Sequence, residues 1–164
     1  MINLIDNPSL PIEYSNSIIY DDTKRELNDR NISRWYRAPE AILSPESYDK
    51  PVDIWSIGCI FAELVLRQPL FKGEYEIEQL FKIFHVLGTP NREVWPEVET
   101  LPNYSPEFPK FKPIRFEDYF VGLDKNGIDL LKQMLAYDPN QRITAKQALT
   151  HVSSYFYFII ILLV

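Results

Sequence analysis

Residues 51–66 read PVDIWSIGCIFAELVL, and this run decides the architecture. Asp53 and Glu63 are its only charges, and apolar side chains fall on every face, so it predicts a helix buried all round, with no single apolar stripe. Sixteen residues carrying two carboxylates fall short of the roughly 20 apolar residues a membrane span needs. The run therefore reads as the centre of a globular core.

The neighbouring segments supply elements to surround it. In residues 74–87, Ile77, Leu80, Phe81, Phe84 and Leu87 recur at spacings of three and four, and Gly88 and Pro90 follow as a stop, with Gly88 in a left-handed cap. Residues 89–118 interleave Pro90, Pro96, Pro102, Pro106, Pro109 and Pro113 with Trp95, Tyr104, Phe108, Phe111 and Phe116. That stretch is too apolar for a free linker and too proline-rich for regular elements, and it predicts an ordered loop packed on the surface. Ile128, Leu130, Leu131, Met134 and Leu135 mark another helix, and Thr144 with Gln147 forms a capping-box pattern that opens a short last one. No run alternates well enough to demand a sheet. The fold class expected is mainly α, with residues 1–32 as an irregular arm broken by Pro8 and Pro11.

Composition narrows the function. The chain has 164 residues, 46% apolar and 14% aromatic, which suits about one packed domain and excludes a wholly disordered chain. Seventeen basic against 23 acidic side chains give a net charge of −6, a poor match for nucleic acid or an anionic membrane. Nothing in residues 1–17 reads as a secretory signal. The single cysteine, Cys59, cannot close an internal disulfide, and with only His85 and His151 it cannot complete a structural zinc site without carboxylates. No metal site is expected. His85 reads as a structural or surface histidine and Cys59 as core filling. The five glycines nowhere form a phosphate-cradling loop.

Specific motifs go further. Trp35-Tyr36-Arg37-Ala38-Pro39-Glu40, preceded by Ser33-Arg34, resembles the end of the activation segment of eukaryotic protein kinases, with the A-P-E signature. Asp53-Ile54-Trp55-Ser56-Ile57-Gly58-Cys59 resembles the start of that family's central buried helix. Leu87-Gly88-Thr89-Pro90, Trp95-Pro96 and Leu101-Pro102-Asn103-Tyr104 resemble the insert of the cyclin-dependent kinases, a CMGC-group family, and Asp138-Pro139-Asn140-Gln141-Arg142-Ile143 matches the last arginine motif. The resemblance covers residues 33–151 in order.

The resemblance implies roles at particular positions. Glu40 and Arg142 would form a buried ion pair tying the activation segment to the last helices. Trp35, Trp55 and Gly58 complete the structural signature. Asp53 would hold the catalytic-loop backbone. Ser33 would contact the catalytic aspartate, and Arg34 and Arg37 would line the pocket that prefers proline after the phosphoacceptor Ser or Thr. Asn28 stands where the family carries its phosphorylated threonine, and asparagine accepts no phosphate. A small adaptor of the Cks type would dock at Ile77, Glu78 and Tyr104, and a cyclin and protein substrates are the other partners implied. ATP and Mg²⁺ are the cofactors of the full-length family.

Phosphoryl transfer needs a loop over the phosphates, a pairing lysine, an aspartate for the substrate hydroxyl and two Mg²⁺ ligands. No Gly-rich loop, V-A-I-K lysine, H-R-D-x-x-x-x-N or D-F-G occurs in these 164 residues. The expectation is a C-lobe fragment of a cyclin-dependent-like Ser/Thr kinase, cytoplasmic or nuclear, that holds no catalytic residue or cofactor itself and is inactive alone. The alternatives are a non-catalytic protein-docking module or a mispredicted gene product. Residues 152–164, VSSYFYFIIILLV, replace the Pro-aromatic-aromatic ending expected after His151. Ten apolar or aromatic residues make only about half a span and lack a basic flank. Val-Ser can be encoded by GTA-AGT, a splice-donor sequence, so the tail is expected to be intron read-through without function.

Overall fold

The computed structural model describes residues 34–46 and 48–152. The expected arm 1–32, Asn28, Ser33 and the tail from Ser153 onward lie outside the described residues. Those described are mainly α: a 3₁₀ turn Arg34–Tyr36, then α1 Pro39–Leu43, α2 Pro51–Leu66, α3 Glu76–Leu87, a 3₁₀ turn Val98–Thr100, α4 Phe116–Tyr119, α5 Lys125–Met134 and α6 Ala145–Leu149. Among the described residues there is no strand.

Helix α2 is the hub. Val52, Ile54, Trp55, Cys59, Phe61 and Ala62 are buried on it, and Pro51 stands at its first turn, where a missing N–H costs nothing. It packs on α5 at Gly58, where an added Cβ would lie 3.0 Å from both Leu135 Cδ2 and Met134 Cβ. The burial is incomplete towards the C-terminal end: Leu64 is 48% exposed. Composition alone predicts burial all round, but a helix becomes fully buried only where neighbours cover every face. Helix α2 ends at Arg67, whose φ of 57° and ψ of 27° place a non-glycine residue in the left-handed region, with its N–H donating to Glu63 O.

Helix α3 starts at Glu76, two residues later than its apolar spacing suggests, and its buried face is Gln79, Leu80, Ile83, Phe84 and Val86. Ile77 falls outside that face and is 50% exposed. Gly88 has φ +84° but ψ 158°, so it turns the chain with a positive φ without being a left-handed helical cap. A Cβ there would sit 2.9 Å from Pro113 Cδ, and glycine meets both constraints.

Residues 88–115 form most of the ordered loop expected over 89–118, but the 3₁₀ turn Val98–Thr100 interrupts it and its last residues belong to α4, which starts at Phe116. Thr89 pins it twice over: its N–H donates to Phe111 O at 3.1 Å, and its hydroxyl donates to Pro109 O at 2.6 Å and accepts from Phe111 N–H at 2.9 Å. Asn103 donates from its backbone N–H to Leu43 O and from its side chain to Ile42 O, both at 2.9 Å, so the loop closes the C-terminal end of α1. Phe108 packs against Phe81, Phe84 and Tyr104, and Trp95 stacks on Tyr137. The Tyr137 hydroxyl donates to Gly88 O at 2.6 Å. Helix α5 is capped by Asp124, which accepts from Gly127 N–H at 2.7 Å, and α6 by the reciprocal Thr144–Gln147 box.

Candidate functional site

Residues 34–40 lie between α2 and α3, and their backbone and side chains are tied to both. Trp35 Nε1 donates to Gly73 O at 3.1 Å, while Gln79, fully buried, donates from Nε2 to Trp35 O at 3.1 Å and accepts from Gly73 N–H at 3.0 Å. One amide side chain thus satisfies a backbone donor at Gly73 and a backbone acceptor at Trp35, which is why a polar residue occupies the apolar face of α3. Gly73 allows that approach, because a Cβ would fall 2.5 Å from Gln79 N and Cα. Lys72 Nζ lies 5.0 Å above the Trp35 ring.

Two arginines face the same edge. Arg34, exposed, donates to Glu74 O at 2.5 Å, and Arg37, only 7% exposed, pairs with Glu76 Oε1 at 2.6 Å. On the α2 side, Ser56 Oγ donates to Tyr36 O at 2.9 Å, and the Tyr36 hydroxyl donates to Glu63 Oε2 at 2.6 Å. Burial, and then the Glu63 carboxylate, pushes the Tyr36 phenol well above its ordinary range, so it remains a neutral donor.

Below this segment sits the pair Glu40–Arg142. Arg142 Nη1 and Nη2 meet Glu40 Oε1 and Oε2 at 2.5 and 2.9 Å in a fork, and the guanidinium donates further to Pro51 O at 2.8 Å and Ala136 O at 3.1 Å. Its centre lies 5.1 Å from the Trp55 ring, which stacks on Phe71. The arginine side chain has no exposed surface and the glutamate 7%, so two full charges are held in the interior with nearly every donor used. This joins α1 to the start of α2 and to the loop after α5.

The remaining sequence-derived positions are placed as follows. Asp53 is half-buried in the first turn of α2 and Trp55 is fully buried, its Nε1–H without an acceptor among the described residues. Glu78 accepts from Glu74 N–H at 2.8 Å and approaches Lys82 at 3.5 Å. Tyr104 is half-buried, edge-on to Phe108, whereas Ile77 is open to solvent. Gln79 and Gly73 escape sequence reading, and Asn103 enters it only as a motif letter, without its bond to α1. Of the first two, only Gln79 left a trace there, as an amide directly before Leu80 on the helix's inward stripe. Cys59 is buried, and burial pushes its thiol far above the range in which it ionises, so it is no nucleophile. His85 packs against Phe111 with ring centroids 3.8 Å apart and the planes tilted by 39°.

The protein kinase domain family model matches residues 14–155 of this chain. The chain belongs to the protein kinase domain family. The match begins before Ser33 and runs past His151, so it spans every element of the fold. In this kinase chain, the A-P-E segment, α2 and the late arginine are the parts that meet in the interior, at Glu40, Trp55 and Arg142. No helix among the described residues is long and apolar enough to cross a membrane.

Proposed function

We propose that this chain is the substrate-side half of a cyclin-dependent-like Ser/Thr kinase catalytic domain, a C-lobe whose parent moves the γ-phosphate of ATP to Ser or Thr followed by proline. The observation that carries the reading is the fixed edge formed by Arg34 and Arg37: both guanidinium groups are held against the 74–76 segment, while Gln79 holds the Trp35 carbonyl and the Gly73 carbonyl accepts from the Trp35 indole N–H. A segment so restrained presents a rigid wall to an extended substrate, and rigid positioning is most of what a kinase contributes to phosphoryl transfer. The bond from Asn103 to the end of α1 supports the cyclin-dependent subtype, because it gives the L-P-N-Y insert a structural task beside the A-P-E helix.

The described residues of this chain do not fit ATP and Mg²⁺. Among the described residues no three His, Cys, Asp or Glu side chains cluster as metal ligands, and no phosphate-binding loop occurs in the sequence. The reading is therefore that the chain alone transfers no phosphate, that ATP and Mg²⁺ belong to the complete kinase, and that a cyclin and a Cks-type adaptor are partners of that complete form in the cytoplasm or nucleus.

A domain exchange tests it. Residues 34–152 replace the equivalent part of an active proline-directed kinase, and the hybrid is assayed on paired Ser-Pro and Ser-Ala peptides. Retained activity with a strong Ser-Pro preference is expected. An active hybrid that treats both peptides alike, or Mg-ATP-dependent phosphorylation by the 164-residue chain itself, would overturn it.

A further inference from the structure

The loop that follows α3 carries a charged feature that the kinase reading does not use. Residues 108–114 run along the outer side of α3: Phe108 meets Phe81 and Phe84, Phe111 meets His85, and Ile114 N–H donates to Val86 O at 3.0 Å. The three Thr89 bonds to Pro109 and Phe111, with Pro109 and Pro113 restricting the backbone, hold this strap in one conformation. Lys110 and Lys112 flank the half-buried Phe111 and are both exposed, as is His85 beneath it. Among the described residues neither lysine has an ion-pair partner, whereas the nearby Lys82 faces Glu78 and Arg115 faces Asp118.

We propose that the ridge of Lys110, Lys112 and His85 docks an extended acidic segment of a partner protein, with carboxylates at alternate positions lying along the two lysines and its backbone over the Phe111 edge. Charge complementarity singles out this partner. The chain carries a net charge of −6, so an acidic segment is repelled by the surface at large and attracted where exposed cations without an ion-pair partner among the described residues stand two positions apart, as Lys110 and Lys112 do. Alternate residues of an extended chain on one face stand about 6–7 Å apart, the spacing that lysines two apart in a non-helical strap can meet. A long polyanion such as RNA would have to track across the acidic remainder. The rigidity of the strap keeps the ordering cost of binding low. This inference is independent of the proposed substrate edge, which lies at the other end of α3.

The test uses the full 164-residue chain and fluorescein-labelled peptides, one with Glu at alternate positions and one with Gln replacing each Glu, read by fluorescence anisotropy. The Glu peptide is expected to bind, with affinity falling as salt rises from about 0.05 M to about 0.3 M, and its addition to protect Lys110 and Lys112 of the unaltered chain from acetylation. Lys110→Glu with Lys112→Glu should weaken binding at least tenfold and create affinity for a Lys-bearing peptide. Lys125→Glu with Lys146→Glu makes the same change in net charge elsewhere and should leave binding within twofold. Equal loss in both pairs, equal binding of the Glu and Gln peptides, absence of protection, or tighter binding of oligo-U than of the Glu peptide would each overturn the proposal.

Discussion

Replacing Arg142 by methionine removes the guanidinium but keeps most of the volume, and it leaves Glu40 with its carboxylate 7% exposed and no counter-charge. Breaking one side of a buried pair costs about 3–5 kcal/mol, because the stranded charge keeps its desolvation penalty and loses its compensation. The carbonyls of Pro51 and Ala136 lose a donor as well, which places the expected loss at the upper end of that range. Against a total stability of roughly 5–15 kcal/mol, such a change removes a third or more. With a urea slope of about 2 kcal/mol per M, the unfolding midpoint should fall by about 2 M. The companion variants complete a cycle: Glu40→Met alone should cost a similar amount, and the double Glu40→Met/Arg142→Met clearly less than the sum, since no charge is then stranded. Circular dichroism at increasing urea gives all four midpoints. A loss below about 1 kcal/mol for Arg142→Met, or a double variant that equals the sum of the singles, would refute the view that Glu40 and Arg142 stabilise the fold as a pair.

Three further outcomes follow from other contacts. Gln79→Leu should destabilise by about 2–4 kcal/mol, because the leucine fills the space yet leaves the Gly73 N–H and the Trp35 carbonyl unpaired; a urea midpoint unchanged from the parent would contradict the clamp. Gly58→Ala should cost about 1–3 kcal/mol by forcing α2 away from Met134 and Leu135 at 3.0 Å, and a stabilised variant, as expected for an unconstrained helical glycine, would show that the helices have room to part. Burial raises the Tyr137 phenol well above its ordinary range, so the folded state holds a proton that unfolded tyrosine releases near pH ~10; stability should be level below that pH and fall as the pH rises through the folded value. Urea midpoints between about pH 9 and 11 measure the slope, Tyr137→Phe should make it shallower while Tyr36 and Cys59, also raised by burial, keep their share, and a midpoint that rises with pH would reverse the sign and sink the argument.

Much of the fold was legible in the chain because its determinants are local. The extent of α2, the spacing of Leu80 and Phe84 on α3, the stop at Gly88 and the Thr144–Gln147 box each depend on residues within a few positions of one another, and all stand where periodicity and capping rules put them. The motifs that mark the kinase family are also linear. Apolar spacing, by contrast, misjudged the surface of α3: Ile77 shares the period of Leu80 and Phe84 but lies in the first turn, where the described residues leave it 50% exposed, while Gln79 goes inward because two backbone groups wait there.

The sequence by itself determined the class of this protein, mainly α, its longer helices and the Thr144–Gln147 cap, and its membership of the kinase family through short ordered motifs. Only the tertiary structure decided what those motifs do together. Glu40 and Arg142 are 102 residues apart, Asn103 reaches back 61 residues to α1, and Trp35 and Gln79 are 44 apart, so no periodicity links them. Their pairing follows from the burial of α2, which brings the chain before it and the chain after it together against one core. There the low dielectric makes an unpaired charge or amide costly, and long-range partners are selected to satisfy it.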